Sequence, residues 1–139
     1  MKKRIVTICL MMLCISCTTK KQVESMPLYE ILKQSEQGGA DFQFYEIISE
    51  KKEFKMILND PELRKKVKQD DILTANFILL NMGQKSSGGY YFSVENIEET
   101  PENIILTIQE NAAKGMVTSV MTNPMCILKI NSKKNIIIK

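Results

Sequence analysis

The sequence contains no histidine among its 139 residues. Without imidazole there can be no serine or cysteine hydrolase that uses histidine as its general base, and no zinc site built on imidazole ligands. A serine–lysine pair would have to use Lys85 and Ser86, but neighbouring residues of a strand point to opposite faces. No other nucleophile, base and orienting group can be recognised together. We therefore predict that the protein is not an enzyme and has no catalytic residue.

The N-terminal apolar run is too short to cross a bilayer. It spans residues 5–15 and follows three cationic residues, whereas a membrane-spanning helix needs about 20 residues. This arrangement is typical of a signal peptide, which we assign to residues 1–16. The signal ends in Ser16 and Cys17, which resemble the lipobox of bacterial lipoproteins, although Cys14 stands where that motif usually has leucine.

The lipobox resemblance implies that Cys17 is the lipid attachment site and the new N-terminus. Two or more acyl chains hold a protein stably to a bilayer. We expect residues 17–26 to form a polar tether and residues 27–139 a single domain in the bacterial cell envelope. Residues 18–21 carry no acidic patch, which favours the periplasmic side of the outer membrane over the cell surface. The alternative is an ordinary secretory signal that ends near a cysteine.

An excess of basic charge is also missing from the mature chain. Three of the 19 lysine and arginine residues precede Cys17, so the remaining 16 balance 16 acidic residues. A nucleic-acid partner is therefore not expected.

Apart from Cys17, the mature chain contains one cysteine, Cys126. A single free cysteine excludes a disulfide within the domain and a thiolate zinc site. The acidic residues lack the alternating spacing of a calcium loop, and we predict no metal and no cofactor.

Apolar periodicity predicts an α+β fold, mainly antiparallel sheet, as a sandwich or partly open barrel of about six strands. One or two short helices are expected after a first hairpin within residues 28–48. Ser49 is predicted to cap a helix over residues 50–58, in which Phe54, Ile57 and Leu58 share one face. Asp60 is predicted to cap a second short helix that ends near Val67.

The second half of the chain reads as strands joined by polar turns in an antiparallel meander. Alternation is clearest on two strands, where Tyr90, Phe92 and Val94 share one face and Ile104, Leu106 and Ile108 share another. The acidic pairs Asp70-Asp71 and Glu98-Glu99 are expected in solvated turns. The predicted strands cover residues 73–81, 90–97, 103–110, 116–121 and 125–131, with Pro124 at an edge or bulge.

The loop between the first two of these strands is rich in glycine. It runs from Gly83 to Tyr90 as Gly-Gln-Lys-Ser-Ser-Gly-Gly-Tyr. A phosphate-binding loop would have lysine and serine or threonine after the second glycine, and a helix would follow. Here Gly89-Tyr90 and a strand follow Gly88. We therefore interpret the segment as a hairpin loop whose glycines adopt positive φ.

This loop, together with Asn123-Pro124 before the last predicted strand, resembles the PrcB family of protease-complex subunits. The resemblance covers about residues 28–138, with Ser86 in place of the commoner proline. It implies a lipoprotein accessory subunit without catalytic residues and a protein partner, with a protease as the expected one. The binding residues that follow from this interpretation are Lys85, Ser86, Ser87, Gly88, Gly89, Tyr90 and Pro124.

Two other functions are compatible with the sequence. The Ser-Gly-Gly-Tyr segment is similar to a loop of chagasin-like inhibitors of cysteine proteases, which insert loops of an immunoglobulin-like sandwich into an active-site cleft. That function requires the loops around Ser86 and Pro124 to converge on one edge. The second alternative is a small-ligand site inside the sheet, which requires a cavity lined by Tyr91, Met116 and Met121.

Overall fold

A computed structural model of the protein describes residues 26–139. The predicted signal peptide and Cys17 lie outside the described residues. The described chain contains one α-helix, two single turns of 3-10 helix and seven strands. Their bounds are β1 (Tyr29–Ser35), β2 (Gln43–Ile48), α1 (Lys51–Asn59), 3-10 turns at Leu63–Lys65 and Asp71–Leu73, β3 (Asn76–Met82), β4 (Tyr90–Glu99), β5 (Asn103–Ala112), β6 (Met125–Ile130) and β7 (Asn135–Ile138).

The strands form two sheets packed as a sandwich, and α1 covers the outer face of the larger sheet. The larger sheet has the order β1-β6-β3-β2, with every neighbouring pair antiparallel. The smaller sheet has the order β4-β5-β7, in which β4 and β5 are antiparallel and β5 and β7 are parallel. The predicted α+β class is confirmed, and of the two predicted architectures the sandwich is correct.

Strands β3 and β6 occupy the centre of the larger sheet because both are apolar on both faces. Six of the seven residues of β3 are buried. One face of these strands packs against the smaller sheet, and the other packs against α1 and the two 3-10 turns. The inner core contains Ile78, Leu80, Met82, Phe92, Ile104, Leu106, Cys126, Leu128, Ile130 and Ile136, and the outer core contains Leu32, Ile48, Phe54, Ile57, Leu63, Val67, Ile72, Ala75, Phe77 and Ile127.

Helix α1 buries the apolar face that its sequence spacing predicts. Phe54 and Ile57 are buried and Leu58 packs beside them. The ring of Phe54 lies 4.6 Å from the ring of Phe77 on β3, measured between centroids. The predicted cap is wrong, because Glu50 rather than Ser49 precedes the helix and no side chain caps it.

Asp60 shapes the chain after α1, but the second predicted helix is only a 3-10 turn. Its Oδ1 accepts hydrogen bonds from the backbone N–H groups of Glu62 and Leu63, and its Oδ2 lies 2.8 Å from Lys33 Nζ on β1. Leu63 and Val67 are both buried in the outer core. The segment therefore buries its apolar side chains as the predicted helix would, but only Leu63–Lys65 is helical.

The predicted hairpin of the first two strands is wrong. Strand β1 pairs with β6, and β2 pairs with β3, so the two strands lie at opposite edges of the larger sheet. The two strands that are buried on both faces take the central positions, and the half-exposed β1 and β2 are left for the edges.

The second half of the chain also departs from a simple meander. The β4–β5 hairpin is confirmed, and Phe92, Ile104 and Leu106 face the inner core as the alternation predicts. Residues 116–121 form no strand, because their apolar side chains find no sheet to pack against and remain exposed. The four residues of β7, which no pattern predicted, pair in parallel with β5.

Candidate protein-binding edge

Residues 83–89, here called the glycine loop, connect the two sheets. The loop leaves β3 in the larger sheet and enters β4 in the smaller one, so the predicted hairpin is wrong. The prediction of positive φ is confirmed at Gly83 and Gly89, with φ of +72° and +85°. Gly88 has no positive φ, but a Cβ there would lie 2.6 Å from Thr118 Oγ1. Glycine is needed at this position for close approach of a second loop.

That second loop comprises residues 113–123 and is here called the methionine loop. Lys85 and Thr122 exchange two backbone hydrogen bonds, with N–O distances of 2.8 and 3.0 Å. The Gly88 N–H donates to the Thr118 carbonyl at 2.9 Å, and the Thr122 hydroxyl donates to the Ser87 carbonyl at 2.7 Å. The glycine loop and the chain before Pro124 therefore converge on one edge of the domain.

The connection between β1 and β2, residues 36–42, completes this edge. The carboxylate of Glu36 accepts a hydrogen bond from the Gly89 N–H at 2.7 Å, and its backbone carbonyl accepts one from the Asn123 N–H at 3.0 Å. The Gly39 N–H donates to the Asn123 carbonyl at 3.0 Å. Residues 36–42, 83–89 and 113–124 are together called the loop edge.

Asn81 fixes the loop edge to the sheet, and sequence reasoning missed it. Its side chain is buried; Oδ1 accepts from the Ala40 N–H, and Nδ2 donates to the carbonyls of Ala40 and Phe42. A buried amide costs free energy unless it is hydrogen-bonded. The signal that could have found it is an asparagine near each end of an apolar run, here Asn76 and Asn81.

The predicted binding residues divide into exposed and structural groups. Ser86 is exposed, whereas Gly88 and Pro124 are buried. The Pro124 carbonyl accepts a hydrogen bond from the Met82 N–H. Lys85 Nζ lies 3.6 Å from Glu110 Oε2 and 5.4 Å from the centroid of the Tyr90 ring. Its ammonium is therefore directed at a carboxylate and a ring rather than at Ser86.

The methionine loop carries four exposed large apolar side chains, namely Met116, Val117, Val120 and Met121. Met116 is fully exposed and Met121 is 63% exposed. A contiguous exposed apolar surface is typical of a site where another macromolecule binds. Tyr91, Met116 and Met121, which the small-ligand alternative would place around an interior cavity, are all exposed.

A half-open groove of about 670 Å³ lies beside the loop edge, on the outer face of the larger sheet. Its walls come from residues 36–42, from Met56 of α1 and from Leu79 and Met125 of the sheet.

The described part of the chain contains no group of three or more acidic or cysteine side chains that could hold a metal ion. Burial raises the pKa of the Cys126 thiol to about 12, which keeps it protonated and unreactive.

The fold and this edge define a β-sandwich domain that presents an apolar loop on a hydrogen-bonded support. Residues 76–131 match the family model described as PrcB C-terminal. The match runs from β3 to just past β6 and includes both the glycine loop and the methionine loop, and it confirms the predicted resemblance over this segment. Comparison with curated proteins and with solved structures gave no match. No helix within residues 26–139 is long and apolar enough to cross a membrane.

Proposed function

We propose that the protein is a non-enzymatic accessory subunit of a protease complex in the bacterial envelope, anchored by lipid on Cys17 and bound to its partner through the loop edge. The observation that carries this proposal is the row of exposed apolar side chains on the methionine loop. Hydrogen bonds to the glycine loop and to residues 36–42 hold that loop in place. A preorganised apolar loop loses little conformational entropy when a partner binds it.

The position of the tether is compatible with this function. At one end of β1, Tyr29 pairs with Ile130, and at the other end Ser35 pairs with Met125. The tether precedes Tyr29, whereas the loop edge begins just after Ser35. A strand of this length spans about 20 Å. The described chain therefore begins at the end of β1 opposite to the loop edge, which leaves that edge accessible to a second protein.

Affinity capture from detergent-solubilised native membranes tests the proposal. The test variant is Met116→Ser with Met121→Ser, and the matched control is Met56→Ser, an equally conservative change of a methionine that is 49% exposed on α1. We expect mass spectrometry to find a protease enriched by the wild type and by the control, but not by the double variant.

A second variant tests the loop support. Replacing Gly88 and Gly89 by valine would place side-chain atoms against Thr118, Val117 and Ala113, and would force a β-branched residue to a φ of +85°. We expect this variant to lose the protease as well. Equal capture by wild type and by a folded Met116/Met121 variant would contradict the proposal.

Protease inhibition is a second candidate, because the loops around Ser86 and Pro124 do converge as a chagasin-like inhibitor requires. Titration of the captured protease with the purified protein separates the two functions. An inhibitor abolishes peptide hydrolysis at one equivalent, whereas an accessory subunit leaves the rate unchanged or raises it. Loss of inhibition in the Met116/Met121 variant would assign that activity to the same edge.

A further inference from the structure

Within residues 26–139, the two sheets have four edge strands, and three of them are blunted. An unpaired edge is a template for another chain unless a bulge, a charge or shortness prevents pairing. Strand β1 has a register shift between Ile31 and Lys33. Strand β4 has a shift between Val94 and Asn96 and carries exposed glutamates near its end. Strand β7 has only four residues.

Strand β2 has no bulge, is longer than β7 and carries a single charge. All six of its residues pair with β3 in one continuous register. It contains no proline and one charged residue, Glu46. Two large aromatic side chains beside this free edge are exposed, Phe42 by 67% and Tyr45 by 58%. A straight, weakly charged edge with exposed aromatic residues is the kind that binds another strand.

We propose that the free edge of β2 pairs with β2 of a second copy of this protein, joining the two larger sheets into one of eight strands. Two-fold dimers are the commonest assemblies of identical chains. A two-fold axis between antiparallel strands stands perpendicular to the sheet, so each face continues into the same face of the partner. The smaller sheets and the α1 helices of both copies then lie on matching sides.

The faces of β2 restrict the register of this pairing. Ile47 packs in the inner core and Ile48 in the outer core, so odd-numbered residues face the smaller sheet and even-numbered residues face α1. Directly opposite residues of an antiparallel pair lie on the same face. Odd-numbered residues must therefore lie opposite odd-numbered residues of the partner. Two symmetric registers obey this rule and leave only one residue of β2 unpaired. One register is centred on Tyr45 and the other on Glu46.

Charge selects between the two registers. Centring on Glu46 places two carboxylates directly opposite each other, which is destabilising. Centring on Tyr45 instead opposes Tyr45 to Tyr45 of the partner subunit, an aromatic cross-strand pair of a favourable kind. Each Glu46 then lies opposite Phe44 of the partner subunit rather than opposite a like charge. The self-complementary register is the one around Tyr45.

An opening between β2 and the smaller sheet supports the same arrangement. A cavity of about 370 Å³ lies there and is lined in part by Tyr45, Phe92, Ile108 and Ile138. Gln43 Nε2 donates to Glu110 at its mouth. The partner's odd-numbered side chains on the added strand would lie beside this opening, so dimerisation would remove exposed apolar surface from water in both copies.

Disulfide trapping of the purified full-length protein in detergent tests the proposal. Opposite residues of an antiparallel pair have Cα atoms about 4.5 or 5.5 Å apart, within the range of a disulfide. We expect Tyr45→Cys to form a reducible dimer under mild oxidation. Tyr91→Cys, an exposed tyrosine on the blunted strand β4, is the matched control and is expected to stay monomeric. Light scattering should give twice the protomer mass for the wild type.

Tyr45→Lys adds two opposed charges at the axis and is expected to halve the measured mass, with a circular dichroism spectrum like that of the wild type. A monomeric wild type, or equal trapping at positions 45 and 91, would overturn the dimer. A dimeric wild type whose Tyr45→Cys variant forms no reducible dimer would overturn the register. None of these results depends on the loop edge, so they leave the proposed function to its own test.

Discussion

Asp71 shows how a surface carboxylate becomes structural in this domain. The sequence places it in an acidic pair, for which a solvated turn was predicted, and for Asp71 that prediction is wrong. Its carboxylate is half-buried and lies 2.8 Å from Lys129 Nζ on β6. It also accepts a hydrogen bond from the Lys68 N–H. Asp71 therefore ties the second 3-10 turn to the larger sheet.

The charge state of Asp71 predicts a dependence of stability on pH. Burial alone would raise the pKa of this carboxyl, but the hydrogen bonds from Lys129 and Lys68 outweigh it and the pKa is lowered from 3.8. A carboxyl with a lowered pKa stabilises the fold above its unfolded pKa, and that stabilisation is lost as pH falls through the folded pKa. We expect Asp71→Asn to lower the melting temperature at neutral pH and to approach the wild type in acid.

Thermal melts followed by circular dichroism across this pH range provide the measurement. Asp70→Asn is the matched control, because it removes the exposed neighbouring carboxylate, and we expect it to change the melting temperature little. A difference between Asp71→Asn and the wild type that persists unchanged into acid would show that the ion pair is not its source.

The predictability of single residues depended on how far away their partners lie in the chain. Phe54 and Ile57 could be placed in a core because helical spacing alone brings them to one face. Asp71 and Lys129 are 58 positions apart, and Asn81 and Ala40 are 41 apart. No local pattern reports such pairs, because they form only when the sheet order brings the two segments together.

At the scale of elements, α1 is attached to the larger sheet through two buried side chains, Phe54 and Ile57. Phe54 is almost completely buried and packs on Phe77. Truncating a buried phenylalanine removes its transfer free energy and leaves a cavity, at a cost of about 3–5 kcal/mol. We expect Phe54→Ala to lower the free energy of unfolding by that amount in urea titrations. Met56→Ala, on the exposed face of the same helix, should change it by less than about 0.5 kcal/mol.

The comparison of Phe54→Ala with Met56→Ala would show whether α1 is needed to hold the outer core together. If Phe54→Ala unfolded at the same urea concentration as Met56→Ala, the larger sheet and the 3-10 turns would be sufficient without the helix. A loss confined to helical ellipticity, with the sheet intact, would likewise show that α1 docks independently of the sandwich.

The same scale explains which strands could be predicted. Residues of β4 and β5 alternate because one face of their sheet meets the core and the other meets water, and that pattern can be read directly. Residues 116–121 are equally apolar but serve as an exposed loop, so composition alone gave a false strand. Strand β7 has four residues and depends on β5 for its hydrogen bonds, which makes it too short to leave a periodic signal.

For the whole molecule, the sheet order was beyond sequence reasoning while the glycine loop was not. Consecutive strands usually pair, which favoured a β1–β2 hairpin, yet burial of β3 and β6 on both faces separates these strands. The glycine loop could be identified because positive φ and close approach both require glycine, and that requirement is local. The sequence could not show that this loop joins two sheets or that the methionine loop packs against it.

Residues 26–28 precede the end of β1 that is opposite to the loop edge, and the proposed anchor at Cys17 gives a last prediction. If Cys17 carries the lipid, Cys17→Ala removes the attachment without altering any contact among residues 26–139. We expect the variant to leave the membrane fraction, while the purified variant, added to solubilised native membranes, still captures the protease. Cys14→Ala is the matched control and should fractionate as the wild type does. Retention of the Cys17→Ala protein in the membrane fraction would contradict the lipid anchor, whereas release with loss of capture would show that the partner also contacts the lipidated end.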